Sequence, residues 1–340
     1  MTTSPRSDVT VLICTFNRAA LLERTLKSLG RLQVPRDWQW DVLVVDNNST
    51  DDTRRAVESM VPTFRVPLRY VYEAAPGKSS AFNRGLASGV GRVIASTDDD
   101  VVVSEEWLVA ACAPLLDAST PFMYTGGPVE PLWEAQPPGW FPLDRTDLWG
   151  AVAILDYGQE SFVFEDHHKV PLGANVAFRR ELFDRTGTFM PTLGRAQGRT
   201  ILGQELPEFL RRARAASARG IYVPSMRVRH LVPAGRLSRD YFRRWWFGKG
   251  VCRSRVDLLH PITELGLDLR QTPHVLGVPR FMYREALSDA AQWGRTFWSG
   301  DSRARVRHET RLSYFAGYWS DRWRFRHQNA SQQASPSLAS

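Results

Sequence analysis

The chain has 340 residues, 43% hydrophobic and 24% charged, a soluble globular balance with room for one large domain or two ordinary ones. Its net charge of +8 is uneven: residues 236–340 carry 18 Lys/Arg against 9 Asp/Glu, whereas residues 1–235 sum to −1. No apolar run approaches a membrane span, residues 1–8 lack a signal-peptide core, and Cys14, Cys112 and Cys252 suit neither a disulfide framework nor a metal-ligand spacing, so a reducing cytoplasm is expected.

A disordered start over residues 1–8 is followed by Val9-Thr10-Val11-Leu12-Ile13-Cys14, a β-rich run too short for a helix. Thr15-Phe16-Asn17-Arg18 reads as a loop, and Leu22, Leu26 and Leu29 give residues 19–29 helical spacing. A second strand over residues 40–45 ends at Asp46-Asn47-Asn48, where Ser49 or Thr50 can cap a helix whose first turn holds Asp51 and Asp52. Residues 68–72 predict a third strand, 79–88 a helix and 93–96 a fourth strand leading to Asp98-Asp99-Asp100. This alternation predicts an α/β fold with a doubly wound, mostly parallel sheet flanked by helices.

Beyond it, the Gly-, Pro- and Trp-rich residues 126–142 read as a long functional loop. Strand-like order resumes over 172–178, with a helix over 180–185, an amphipathic helix over 205–219 and short strands at 221–223 and 228–231. The remainder predicts a helical C-terminal extension and a disordered tail over 328–340. The expected divisions are 9–125, 126–235 and a helical extension over 236–327.

Ligands of open parallel sheets sit at the carboxyl ends of the strands. Three such ends carry polar clusters here: Thr15-Phe16-Asn17, Asp46-Asn47-Asn48 and Asp98-Asp99-Asp100. Adjacent carboxylates repel one another, so the triplet is suited to a divalent cation and a phosphorylated ligand, although a solvated acidic turn has the same composition. No glycine-rich phosphate loop follows the first strand, which counts against a P-loop or dinucleotide fingerprint. Asp46 suits a base edge or ribose, and Lys78, before a helix, a phosphate or base.

Together, residues 11–18, 44–53, 76–85 and 96–103 resemble the family 2 glycosyltransferases, which have a GT-A nucleotide-sugar-binding fold. Gly173-Ala174-Asn175-Val176-Ala177-Phe178, Gly203-Gln204-Glu205-Leu206 and Val228-Arg229-His230 extend the resemblance over roughly residues 9–250. It implies that Thr15, Asn17 and Arg18 line the nucleotide pocket, Asp46 contacts the base and Lys78 lies beside the base or phosphates. Asp98 and Asp99 would approach the ribose and donor sugar, and Asp100 would ligate Mg²⁺ or Mn²⁺, with His230 as a further ligand. Glu205 stands at the position of the catalytic base and Glu208, one turn on, is the reserve. The family's acidic pair is Gln204-Glu205 here, a departure that bears on the choice of base. Trp133 or Trp140 could stack on a sugar, and the acceptor is expected between their loop, Asn175 and the Glu205 helix.

The implied activity is metal-dependent, inverting sugar transfer from a nucleoside-diphosphate sugar to a hydroxyl of a glycan or lipid-linked acceptor, in surface polysaccharide or glycolipid synthesis. The alternatives are a sugar-phosphate nucleotidyltransferase and a non-catalytic sugar-nucleotide-binding protein. Rings and cations interleave at Tyr241-Phe242-Arg243-Arg244-Trp245-Trp246, and Leu312, Phe315, Trp319 and Trp323 recur at helical spacing among arginines. Both patterns suit an anionic membrane surface on the cytoplasmic side, or packing with solvated arginines. No nucleic-acid-binding module is present, so no nucleic-acid partner is expected.

Overall fold

The computed structural model describes residues 7–333 except 142, 144–145, 166–168, 195–202 and 264–265. The expected disordered start lies mostly outside the described residues. The chain divides into two compact units: one within Met1–Glu134, Val152–Gly198 and Glu205–Pro233, the other within Ala135–Ala151, Arg199–Gln204 and Ala234–Ser340.

The first unit runs β1 (Val9–Thr15), α1 (Ala19–Leu29), β2 (Trp40–Asp46), α2 (Thr53–Met60), β3 (Leu68–Tyr72), α3 (Lys78–Ala87) and β4 (Val93–Asp98). It continues through β5 (Val101–Val103), α4 (Trp107–Leu116), β6 (Phe122–Gly126), β7 (Val129–Trp133), β8 (Phe162–Val163) and β9 (Asn175–Arg179). It closes with α5 (Glu181–Thr186), α6 (Glu205–Ala215), β10 (Arg219–Tyr222) and β11 (Val228–Val232). The main sheet has the order β3-β2-β1-β4-β9-β6-β10-β8, and a smaller sheet the order β5-β11-β7.

Strands β1 to β4 pair in parallel, and β9 enters antiparallel between β4 and β6. Every residue of β2 is buried, as expected of a strand covered on both faces. Helix α3 lies so close to the sheet that a Cβ on Gly85 would come within 2.5 Å of Leu12 Cδ1. Because β2 and β3 extend to one side of β1 and β4 lies on the other, the order reverses at β1. The crevice beyond the ends of β1 and β4 is therefore the expected ligand position.

Four local expectations need correction. Helix α2 begins at Thr53 with no side-chain cap from Ser49 or Thr50, because the Asp51 carboxylate instead accepts from Thr53 N at 3.0 Å and Ala19 N at 3.1 Å. Residues 129–133, expected in a loop, form β7. Helix α6 ends at Ala215, where Ser217 turns left-handed (φ 59°) and Ala218 N donates to Ala213 O at 2.9 Å, closing the helix before β10. The last helix continues through Gln333, into the expected tail, whose residues 334–340 lie outside the described ones.

The second unit holds α7 (Arg239–Leu259), a hairpin of β12 (His274–Val275) and β13 (Val278–Pro279), α8 (Arg280–Ser299) and α9 (Ser302–Gln333). Ser238 Oγ accepts from Tyr241 N at 3.2 Å to cap α7, left-handed Gly300 (φ 69°) ends α8, and Asp301 Oδ1 accepts from Arg303 N and Ala304 N to start α9. Most of the basic aromatic pattern is spent inside this unit. The Trp246 ring meets Tyr314 edge-on at 6.3 Å, Trp319 stacks on Trp323 at 5.5 Å, and buried Tyr318 donates to Asp257 at 3.0 Å. No helix among the described residues is long and apolar enough to cross a membrane.

Candidate active site

The parallel register sets Cys14 beside Asp98 and Thr15 beside Asp46, so three polar strand ends meet at one edge. A cavity of about 340 Å³ opens there, with Thr15, Phe16, Asn47, Lys78, Asp98 and Asp99 among its lining residues. Burial pushes the Cys14 thiol at its floor up to about 12, so it is neither a nucleophile nor a thiolate ligand near neutral pH.

The aspartates divide their work by direction. Asp98 at the cavity is ion-paired with Lys78 Nζ. Burial opposes its charge, but the Lys78 ammonium and its hydrogen bond outweigh that and hold the carboxyl below its usual range. Asp99 points inward, accepting from Thr15 Oγ1 at 2.8 Å and from Arg18 Nη1 at 2.8 Å. Its burial raises the carboxyl to about 6 against the pull of Arg18. The same Arg18 nitrogen lies 2.8 Å from Asp100 Oδ2, so one guanidinium bridges two adjacent carboxylates that would otherwise repel each other. Thr25 Oγ1, 2.9 Å from Asp99 O and 2.8 Å from Val101 O, fixes the turn that carries the triplet.

Strand β11 supplies the histidine. Pairing of His230 with Val101 and the bond from Leu231 N to Asp100 O (2.9 Å) bring His230 Nε2 to 3.3 Å from Asp100 Oδ1. One ligand atom each from Asp98, Asp100 and His230 lies within 4.8 Å of the others. Two carboxylates and one imidazole form a donor set that fits Mg²⁺ or Mn²⁺ better than a thiophilic metal.

Glu205 opens α6, and its Oε2 is buried with no hydrogen-bond partner among the described residues. Its charge is felt at both Lys78 and Cys14, which places the carboxylate in the field of the cavity. Glu208 differs: fully buried, it accepts from Arg212 Nε at 2.8 Å and Nη2 at 2.9 Å, and Arg212 also donates to Thr188 O at 2.9 Å. The reserve carboxylate is thus held in a bidentate pair that fastens α6 to the turn after α5.

Several expected ligand contacts are instead occupied by the scaffold. Asp46 accepts from Ser49 N at 2.9 Å and from Tyr70 Oη at 2.7 Å, while the cavity is lined by the next residue, Asn47. Asn17, left-handed at φ 50°, accepts from Thr50 N at 2.7 Å and is exposed. Asn175 is wholly buried: its amide donates to Pro128 O (2.9 Å) and Met226 O (2.6 Å), and its oxygen accepts from Trp107 Nε1 at 2.8 Å. Trp133 ends β7, half-buried and paired with Val232, and Trp140 packs edge-on against Phe242 at 5.3 Å within the second unit. The acceptor contacts expected of Asn175 are therefore not available in this arrangement.

Phe16 and Asn47 receive no separate role from the motif pattern, yet both line the cavity. An aromatic side chain within a polar strand-end turn is the available signal for Phe16. Asn47 Oδ1 accepts from Gly77 N at 2.7 Å and its amide donates to Ala75 O at 2.7 Å, which holds the approach to Lys78. Gly77 sits at φ 125°, open to glycine and rarely to other residues.

Residues 10–187 match the profile of the family described as Glycosyl transferase family 2. A glucosyl-dolichyl phosphate glucuronosyltransferase of Haloferax volcanii is 26% identical over 258 residues, 74% of this chain and 78% of that protein. The succinoglycan biosynthesis protein ExoM of Rhizobium meliloti is 26% identical over 247 residues, 72% of this chain and 73% of that one. Among solved structures, a mannosyltransferase from Pyrobaculum calidifontis in complex with GDP-Man and Mn²⁺ superposes with a TM-score of 0.52 at 20% identity, covering 99% of this chain and 77% of its own. The S. aureus TarS fragment 1–349 in complex with UDP gives 0.51 at 15% identity, covering 94% and 92%. At these identities the structures show the shared fold.

Proposed function

We propose, from the premise that this chain belongs to glycosyl transferase family 2 and is a glycosyltransferase, that it moves a sugar from a nucleoside-diphosphate donor to an acceptor hydroxyl with inversion. Its relatives include enzymes of polysaccharide and glycolipid synthesis, which supports a glycan or lipid-linked acceptor; a setting on the cytoplasmic side of a membrane is part of the same proposal. The observation that carries the reading is the meeting of Asp98, Asp100 and His230 beside the strand-end cavity, with Glu205, whose Oε2 has no hydrogen-bond partner among the described residues, in the same electrostatic field.

In this reading the nucleotide occupies the cavity between Thr15, Phe16 and Asn47, and Lys78 and Asp98 meet the phosphates and sugar. Asp98, Asp100 and His230 would hold Mg²⁺ or Mn²⁺, which when bound neutralises charge on the departing diphosphate. Arg18 keeps Asp99 and Asp100 in place, a positioning role. Glu205 accepts the proton of the acceptor hydroxyl as that oxygen bonds to the anomeric carbon. The bond from that carbon to the diphosphate breaks, and the nucleoside diphosphate leaves. Attack opposite the leaving group in a single displacement inverts the anomeric centre.

The test is thermal unfolding with UDP, GDP or dTDP, each with and without Mn²⁺ or Mg²⁺. A matching ligand at a hundredfold excess over its Kd stabilises the native state by about 2.7 kcal/mol. One nucleotide should raise Tm only when the cation is present, and its sugar derivatives are then tried as donors. Absence of a shift with every nucleotide and both cations would falsify the donor assignment.

A further inference from the structure

Large hydrophobic side chains left exposed on the described residues are concentrated in one region. Ten of the fifteen lie between residues 258 and 298, within the second unit. The most open of these, Trp298 at 94% and Leu287 at 73%, both belong to α8. Isolated exposed leucines are ordinary, but a tryptophan left almost wholly in water, in register with a second large apolar side chain, indicates a surface meant to be covered.

At about 100° per residue, Arg280, Arg284, Leu287, Ala291, Arg295 and Trp298 fall within an arc of about 80° on α8. All six are exposed. None of the three guanidinium groups has an ion-pair or hydrogen-bond partner among the described residues, although the backbone N of Arg280 donates to Pro273 O at 2.9 Å. The acids of α8 point elsewhere: Glu285 and Asp289 lie about 120° and 160° from the middle of that arc. Asp289 is also buried and engaged by His308 (2.8 Å) and Arg311 (3.0 Å). The opposite side of α8 anchors it through buried Met282 and Thr296. The outward face therefore combines apolar anchors with uncompensated positive charge.

We propose that this face of α8 docks on an anionic lipid surface, with Leu287 and Trp298 entering the headgroup boundary and Arg280, Arg284 and Arg295 meeting lipid phosphates. A helix lying in the interface needs this combination, with aromatic and aliphatic insertion beside basic residues. Charge complementarity selects anionic lipid as the occupant, because a second copy of the chain would set these arginines against identical arginines in a symmetric contact. The proposal differs from the sequence-based expectation in location. The Trp/Arg pattern of α7 and α9 is largely consumed by packing, and α8 carries the open face.

The experiment is co-sedimentation of the full chain with phosphatidylcholine vesicles and with vesicles that also contain phosphatidylglycerol. The chain should bind the anionic vesicles, bind the neutral ones far less, and release as salt is raised. L287S/W298S should lower the vesicle partition coefficient at least tenfold, and R284E/R295E about fivefold for each arginine lost. Both variants should keep the wild-type Tm, since every substituted side chain is exposed. W323S, at an exposed tryptophan of α9 outside the α8 face, should bind as wild type does. Three results would each overturn the proposal: no preference for anionic vesicles, binding unchanged in both α8 variants, or a wild-type dimer by light scattering that L287S/W298S converts to monomer. The readout involves no sugar transfer, so it stands or falls independently of the reaction proposed above.

Discussion

His230 Nε2 lies 3.3 Å from Asp100 Oδ1, brought there by antiparallel pairing of β11 with β5. The imidazole is buried, and its Nδ1 has no hydrogen-bond partner among the described residues. One ligand atom of His230 lies within 4.8 Å of one each from Asp98 and Asp100, and that convergence is what favours a ligand role.

Asp100→Asn and His230→Ala should therefore abolish cation-dependent nucleotide binding while leaving the fold intact. Contact between a cation and the leaving group contributes several kcal/mol at the transition state, so kcat/KM should fall roughly 10³-fold for Asp100→Asn. Chelation of wild-type protein with EDTA should reproduce the loss, and Mn²⁺ should restore it only in the wild type. Isothermal titration of the identified nucleoside diphosphate, with and without Mn²⁺, is the direct check.

Glu205 and Glu208, one helical turn apart, should separate cleanly. Glu205→Gln should lower kcat about 10²- to 10⁴-fold, the usual contribution of a general base, with donor affinity and Tm retained. Glu208→Gln should instead leave the half-buried Arg212 guanidinium partly unpaired and cost about 1.5–3 kcal/mol of stability. Urea unfolding and steady-state kinetics on both variants decide the matter; a stable, inactive Glu208→Gln would reverse the assignment.

The parallel half of the site was legible because its physics is local. Buried parallel strands must be continuous apolar runs, so the polar residues that end them stand out, as Asp46, Thr15 and Asp98 do. Strand β7 was hidden by Pro131, which reads against a central strand but is tolerated here because β7 is at the edge of its sheet. Asn175 was misleading for another reason. Its place in a family motif suggested an acceptor contact, but its partners Trp107, Pro128 and Met226 come from three remote stretches, and nothing in the sequence pairs them with it. Asp46 shows the same limit, since its engagement by Tyr70 depends on β2 lying beside β3.

Asn175→Ala should consequently behave as a core variant. It removes three buried hydrogen bonds and strands the Trp107 indole N–H and two carbonyls, at about 1 kcal/mol or more for each unsatisfied group. A loss of at least about 3 kcal/mol is expected by urea unfolding. If Asn175 bound acceptor, the variant would show a raised acceptor KM at unchanged stability.

The crossing of α7 and α9 rests on two glycines. A Cβ at Gly250 would lie 2.0 Å from Tyr314 O, and one at Gly317 would lie 2.0 Å from Phe247 O. Both obstacles are backbone oxygens, so no rotamer change relieves them and the helices must separate. Alanine is intrinsically better than glycine in a helix by about 1 kcal/mol, which works in favour of each variant. Overpacking costs typically about 1–3 kcal/mol, and separating the helices would also loosen Tyr318 from Asp257. Gly250→Ala and Gly317→Ala should therefore both destabilise, and the double variant should cost less than the sum of the two because they relieve a shared contact. Thermal unfolding of the three variants checks this; a raised Tm in either single variant would mean that the helices do not cross this closely in solution.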